Sequence, residues 1–154
     1  MRRFSVNETE TLRREALEEV RAVYRELESR PVERACIRRT ECCQFKLTGR
    51  TPFLTKGEAL TAAKAWRAAS NKRLPAPADG ACPFLERKSG RCLIYEGRPF
   101  GCRTHFCAAA GGPYSRKEVI DLIHRLEDLD RALGGDGAKS QPIAIAESLT
   151  QFGR

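Results

Sequence analysis

The sequence predicts a small, mainly α-helical domain with an irregular, cysteine-rich metal-binding segment and a short β-hairpin. Three segments have apolar residues at helical spacing, and stretches rich in glycine and proline separate them. All seven cysteines fall outside these three segments. The length of 154 residues suggests one domain spanning 1–154.

A first helical flank is predicted over residues 8–29. Its apolar stripe consists of Leu12, Ala16, Val20, Val23, Tyr24 and Leu27. Asn7 with Glu10 suits an N-terminal cap, and Pro31 follows the end of the helix. The stripe is interpreted as a packing surface that carries no chemistry.

A second helix is predicted from about 56 to 70. Thr55 and Glu58 have the spacing of a capping box, in which the two residues satisfy each other's backbone donors. The helix body is rich in alanine, and Trp66 is assigned to the core because a large aromatic side chain usually fills a small one.

A hairpin is predicted over residues 82–95, with its turn at Ser89-Gly90. Residues 36–54 and 96–113 are rich in turn-forming residues and are predicted to be irregular. Together, residues 36–107 form the cysteine-cluster region.

A helical C-terminal part is predicted over 115–133. Ser115 and Glu118 form a second capping box, and glycines at 134 and 135 end the helix. Residues 134–154 are expected to be a flexible tail, within which 142–152 could add a short helix or strand.

The cysteines point to a metal centre. No secretory signal is recognised at the N-terminus, so a reducing, cytoplasmic location is expected. The number of cysteines is odd and two of them are adjacent, which also disfavours a disulfide framework. Thiolates are soft ligands that suit zinc or iron–sulfur clusters. The predicted metal ligands are Cys36, Cys42, Cys43, Cys82, Cys92, Cys102 and Cys107.

At these residues the chain resembles the YkgJ-like bacterial cysteine-cluster family, whose pattern is C-x2-C-x2-C-C, then C-P-[FL]-L and G-x-C-x-I-Y-x-x-R-P-x-x-C-R before a final Cys. The second half is matched by Cys82-Pro83-Phe84-Leu85, by the run from Gly90 to Arg103, and by Cys107. In the first half, Arg39 stands where the family has its second cysteine. The resemblance covers about 36–107 and implies a CxxCxxCC-type zinc- or iron-chelating domain.

Seven thiolates exceed one four-coordinate site, so one cluster with spare cysteines and two metals that share ligands both remain open. The family resemblance and the excess of cysteine favour a [4Fe–4S]-type iron–sulfur cluster over zinc. His105 follows Cys102 at a spacing that zinc sites use, and it is an alternative ligand. Arg98 and Arg103 are either counter-charges of the site or ordinary surface arginines.

The predicted function is metal binding with a redox, metal-handling or enzyme-support role. An iron–sulfur oxidoreductase is conceivable, but no catalytic constellation is identified. The alternative is a zinc-stabilised nucleic-acid-binding or adaptor module, for which the net charge of +8 gives weak support. No segment is apolar enough to predict a membrane span, and the sequence identifies no protein partner.

Overall fold

A computed structural model describes residues 3–30, 51–69, 73–77, 79–105 and 113–151 of the chain. The described residues are mainly helical and include a short hairpin, which confirms the predicted fold class. No helix in these ranges is both long and apolar enough to cross a membrane.

The described elements are helices of 5 to 24 residues, one 3-10 helix and four two-residue strands. In chain order they are α1 (Val6–Ser29), β1 (Phe53–Leu54), α2 (Lys56–Ala69), β2 (Leu85–Glu86), β3 (Arg91–Cys92), a 3-10 helix (Tyr95–Gly97), α3 (Phe100–Thr104), α4 (Arg116–Ala132), β4 (Lys139–Ser140) and α5 (Gln141–Thr150). Strand β1 pairs antiparallel with β4, and β2 pairs antiparallel with β3. Helix α2 contacts α1, α4 and α5, so it lies at the centre of the helical arrangement.

Helix α1 begins two residues earlier than the sequence predicts, because its cap is Ser5. The Ser5 hydroxyl accepts the backbone N–H of Glu8 at 3.3 Å, and the Glu8 carboxylate accepts the backbone N–H of Ser5 at 2.8 Å. This reciprocal pair satisfies two helix-end donors at once. The cap predicted at Asn7 is therefore wrong, although the buried stripe from Ala16 to Leu27 is confirmed.

Two apolar clusters form the core. The first joins α2, the hairpin and α5, and its buried members are Leu54, Ala59, Ala62, Trp66, Cys82, Phe84, Ile94, Ala144 and Ile145. The second lies chiefly between α1 and α4 and comprises Val20, Val23, Tyr24, Leu27, Phe100, Val119, Leu122 and Leu126. The Trp66 ring lies 5.6 Å from that of Phe84, centroid to centroid, which confirms its assignment to the core.

Two stretches are more regular than the sequence predicts. The 96–113 stretch, expected to be a loop, contains α3. The 134–154 stretch, expected to be a flexible tail, contains β4 and α5, and α5 makes extensive contact with α2. In both cases distant residues fix the segment: the Glu58 carboxylate bonds the first turn of α3, and Pro52 accepts the backbone N–H of Gln141 at 2.8 Å.

Candidate metal centre

Three of the seven predicted ligands lie in the described residues. Cys82 precedes β2, Cys92 ends β3, and Cys102 lies in α3. The other four, Cys36, Cys42, Cys43 and Cys107, lie outside the described residues. The seven-residue ligand set therefore stays a prediction.

The hairpin brings Cys82 and Cys92 to the first core cluster. The β2–β3 register pairs Leu85 with Cys92, and the backbone N–H of Leu85 donates to the Cys82 carbonyl at 3.1 Å, which closes the turn that carries Cys82. Cys82 is 8% exposed, whereas Cys92 is half-buried and packs against the same cluster. One short hairpin thus presents two sulfurs to one apolar region.

The Cys82 sulfur lies among hydrogen-bond donors inside this apolar region. The pKa of the Cys82 thiol is raised to about 11, chiefly by burial and to a smaller degree by the nearby Cys92 thiol. Hydrogen bonds from the backbone N–H groups of Phe84 and Leu85 and from the Gln141 side chain act in the opposite direction and lower the pKa. Donors aimed at sulfur suit a metal-bound thiolate, which can only accept. The surroundings of Cys82 therefore fit a metal ligand.

Cys102 is positioned by a carboxylate from α2. Glu58 is buried, and its Oε1 accepts the backbone N–H of Phe100, the first residue of α3, at 2.8 Å. Its Oε2 accepts the backbone N–H and the hydroxyl of Thr55 at 2.9 and 2.8 Å, which closes the start of α2. Burial raises the pKa of Glu58. One carboxylate thus bonds the first turns of two helices, and Cys102 lies in the second of them.

Contacts at β1 and at Pro52 just before it link the Cys102 region to Cys82. Helix α3 contacts β1, and a methyl group added at Gly101 would lie 3.8 Å from Pro52 Cβ. The Pro52 carbonyl accepts the backbone N–H of Gln141, whose side-chain amide reaches the Cys82 sulfur at 3.2 Å. The segments that carry Cys82 and Cys102 therefore converge on Pro52 and Gln141.

Arg103 is buried and is not an ordinary surface arginine. It is 7% exposed, and its guanidinium donates to the carbonyl of Arg98 at 2.7 Å, to the carbonyl of Glu96, and to Glu28 at 2.9 Å. The guanidinium carbon also lies 4.0 Å from the centroid of the Tyr24 ring. Arg103 therefore ties the 96–103 segment to α1.

The other two side chains that sequence analysis placed beside the cysteines lie nearer the surface. The Arg98 guanidinium carbon stacks 3.7 Å above the Tyr95 ring, which is 49% exposed. His105 is half-buried at the end of α3, where its backbone N–H donates to the Gly101 carbonyl at 3.2 Å. Within the described part of the chain, no three His, Cys, Asp or Glu side chains are close enough to hold a metal ion.

Sequence reasoning missed Gln141. It lies in the stretch expected to be a tail, 59 positions from Cys82, and no local pattern connects the two. Among the described residues, the buried side-chain oxygens without a hydrogen-bond partner are Gln141 Oε1 and the Tyr24 hydroxyl. Buried orphans of this kind are rare in proteins. Tyr24 contacts Arg103, the neighbour of Cys102, so each orphan lies near a candidate ligand.

A family model described as "CxxCxxCC: Putative zinc- or iron-chelating domain" matches residues 34–123. This range is more than half of the chain and contains all seven cysteines. Searches of curated proteins and of solved structures find no significant match. Because the match spans more than half of the chain, the chain belongs to the CxxCxxCC family of zinc- or iron-chelating domains.

Proposed function

We propose that the two cysteine segments, 36–43 and 82–107, jointly hold one metal centre, a [4Fe–4S]-type cluster in preference to zinc, and that the protein has a redox, metal-handling or enzyme-support role. The observation that carries the proposal is the Cys82 sulfur, which is buried in the core and surrounded by N–H donors. The family match over all seven cysteines supports it.

The three described cysteines need further ligands. They do not by themselves form a group that could hold a metal ion, and structural zinc and cubane clusters each use four protein ligands. The predicted ligands elsewhere in the chain supply enough sulfurs to complete such a site. The proposal therefore requires cysteines from the 36–43 segment or Cys107 to join those of the hairpin and α3.

Burial of Cys82 couples metal binding to proton release. With its pKa near 11, the metal-free thiol is protonated at neutral pH, and a metal cation must replace that proton. The N–H donors then stabilise the negative sulfur, which the apolar surroundings alone would disfavour. When bound, a cluster would supply one-electron redox chemistry, whereas zinc would tie the cysteine segments together.

The number of sulfurs and the positive charge suit either kind of metal centre. Seven cysteines exceed the four that a structural zinc ion takes. A tetrathiolate zinc site and a doubly charged cubane each leave a net charge of about −2, so the chain's charge of +8 accommodates either one. A cubane cluster also takes four protein ligands, so neither the number of sulfurs nor the charge separates the two centres, and the preference for the cluster follows the family resemblance.

Anaerobic purification with analysis of iron, sulfide and zinc tests the metal. We expect iron and acid-labile sulfide in near-equal amounts, with visible absorption from the cluster. A preparation that contains zinc but lacks both iron and sulfide would reject the cluster and identify zinc as the bound metal. A preparation free of all three would reject the metal centre itself.

Ligand substitution tests the site. We expect Cys92→Ser and Cys102→Ser each to lower metal content and thermal stability together, because metal binding is coupled to folding in such sites. Thr104→Ser is the matched control in α3, since it keeps the hydroxyl that bonds the Phe100 carbonyl at 3.1 Å. Unchanged metal stoichiometry in both cysteine variants would contradict the assignment.

A zinc-stabilised nucleic-acid-binding module is the second candidate, and the net charge of +8 is the observation in its favour. In the described residues several cations already pair with acids, as Arg30 does with Asp121 and Arg125 with Glu19. Such pairing leaves less free charge for a phosphate backbone. Binding of DNA or RNA that weakens steeply with salt would support this candidate, and no binding at low salt would remove it.

A further inference from the structure

We infer that Gln141 is a positioning residue of the metal centre, whose side-chain amide donates a hydrogen bond to the sulfur of Cys82 when that sulfur holds the metal. The inference rests on the proposed metal centre and adds a residue that the cysteine pattern does not contain. Its basis is the distance of 3.2 Å between Gln141 Nε2 and Cys82 Sγ, deep in the core.

The Gln141 amide completes a set of donors around one sulfur. The backbone N–H groups of Phe84 and Leu85, two and three positions after the cysteine, lower the pKa of the Cys82 thiol from within its own turn. Gln141 adds a donor from α5, 59 positions away along the chain. Hydrogen bonds to sulfur are among the terms that set the reduction potential of a cluster and the affinity of a metal site.

The surroundings of Gln141 favour this role over simple packing. The residue is 1% exposed, and its Oε1 has no partner among the described residues. An unsatisfied buried oxygen destabilises a fold, so an apolar residue of the same size would serve packing better. A glutamine is favoured where its N–H has a specific acceptor, and Cys82 is that acceptor.

The backbone holds this amide in place. Gln141 is the first residue of α5, and its backbone N–H donates to the Pro52 carbonyl at 2.8 Å. Pro142 follows in the first turn, where its fixed φ suits a helix start. The hydrogen bond to Pro52 and the rigid proline together fix the direction in which the Gln141 side chain leaves the helix. Since α5 lies beyond residue 123, this donor comes from outside the family match.

The test compares Gln141→Met, which keeps the length and removes the N–H, with Gln141→Glu, which places an oxygen beside the sulfur. Gln151→Met is the matched control, because Gln151 is exposed at the other end of α5. Zinc affinity is measured by competition with a chromophoric chelator. The cluster is reconstituted anaerobically with iron and sulfide, and its reduction potential is measured. Unfolding of each metal-free protein in urea separates binding from stability.

We expect Gln141→Met to weaken metal binding 10–100-fold, the range found when a group that bonds a metal ligand is removed. Gln141→Glu should weaken it further, because two negative groups then adjoin. The reduction potential of a reconstituted cluster should also fall, because the amide stabilises the more negative, reduced cluster. The fall is about 59 mV for each tenfold by which the protein's affinity for the reduced cluster drops relative to its affinity for the oxidised one. Metal-free Gln141→Met should be as stable as the wild type or more so, since the orphaned oxygen is gone.

Other outcomes overturn the inference. Metal affinity and potential equal to those of Gln151→Met would show that the amide does not act on the centre, while the metal centre itself would stand. A loss of metal-free stability that accounts for the whole loss of affinity would show a purely structural role. A wild-type protein that takes up neither zinc nor a cluster would refute the proposed function and this inference together.

Discussion

Replacement of Arg103 by lysine is the substitution that most directly probes how the cysteine-bearing α3 is held. The guanidinium bonds two backbone carbonyls, of Arg98 and Glu96, and one carboxylate oxygen, of Glu28, while its face covers the Tyr24 ring. A lysine keeps the charge, but its single ammonium group cannot reach three acceptors that are spread around a planar fork. The substitution therefore separates geometry from charge.

The size of the effect follows from the bonds that are lost. If the ammonium keeps one acceptor, two hydrogen bonds to a charged donor disappear, each contributing about 1.5–3 kcal/mol. The ion pair with Glu28 contributes little, since the Glu28 side chain is 63% exposed and such pairs are worth about 0.2–1 kcal/mol. We therefore expect Arg103→Lys to lower the free energy of unfolding by about 3 kcal/mol or more, and Glu28→Gln by less than about 1 kcal/mol.

Urea unfolding of the metal-free protein, followed by circular dichroism, measures both values. Arg131→Lys is the matched control, because that side chain is 70% exposed and pairs with Asp128 three positions away on α4. We expect it to change the free energy of unfolding by at most about 0.5 kcal/mol. Equal losses in Arg103→Lys and Arg131→Lys would refute the reasoning. A loss in Glu28→Gln as large as that in Arg103→Lys would assign the stabilisation to the ion pair instead of the carbonyl bonds.

Two further predictions concern Cys82 and Gly97. The folded-state pKa of Cys82 lies near 11, above its ordinary value of 9.0, so the neutral thiol should stabilise the metal-free protein below pH 9 and lose that effect towards pH 11. Relative to Cys82→Ser, we expect the free energy of unfolding to fall by about 2–3 kcal/mol over that range. A constant difference between the two proteins would contradict the burial of this thiol. Gly97→Ala should lower the free energy of unfolding in urea by about 1–3 kcal/mol, because the added methyl group would lie 2.6 Å from the Ala65 methyl group. Gly101→Ala is the control: its nearest contact would be at 3.8 Å, so it should change stability little.

Elements with a local cause were predictable from the sequence. The capping box of Ser115 and Glu118 sets the start of α4, and the Glu118 carboxylate accepts the backbone N–H of Ser115 at 2.7 Å. The turn of the hairpin was predictable because Gly90 has a φ of 67°, which glycine adopts without strain. In each case residues at most a few positions apart determine the conformation.

Elements with a distant cause were not predictable. Helix α3 has five residues, too few to be stable by propensity, and it depends on a bond from Glu58, 42 positions away. Arg103 follows a cysteine and has the charge of a counter-ion, yet its partners are backbone carbonyls that only the folded chain brings together. Residue type indicated the metal-binding chemistry, whereas tertiary contacts determined what surrounds each sulfur.

The helices on either side of the family match supply much of those surroundings. Helix α1 contributes Tyr24 and Glu28 to the contacts of Arg103, and α5 contributes Gln141 to Cys82. Thiolates alone bind several metals, and their preferences and potentials depend on the donors and the dielectric around them. Since these three residues lie outside 34–123, two chains with the same cysteine pattern can differ in metal affinity and potential through their flanking helices alone. The flanks are therefore where a specific role within this family would be encoded.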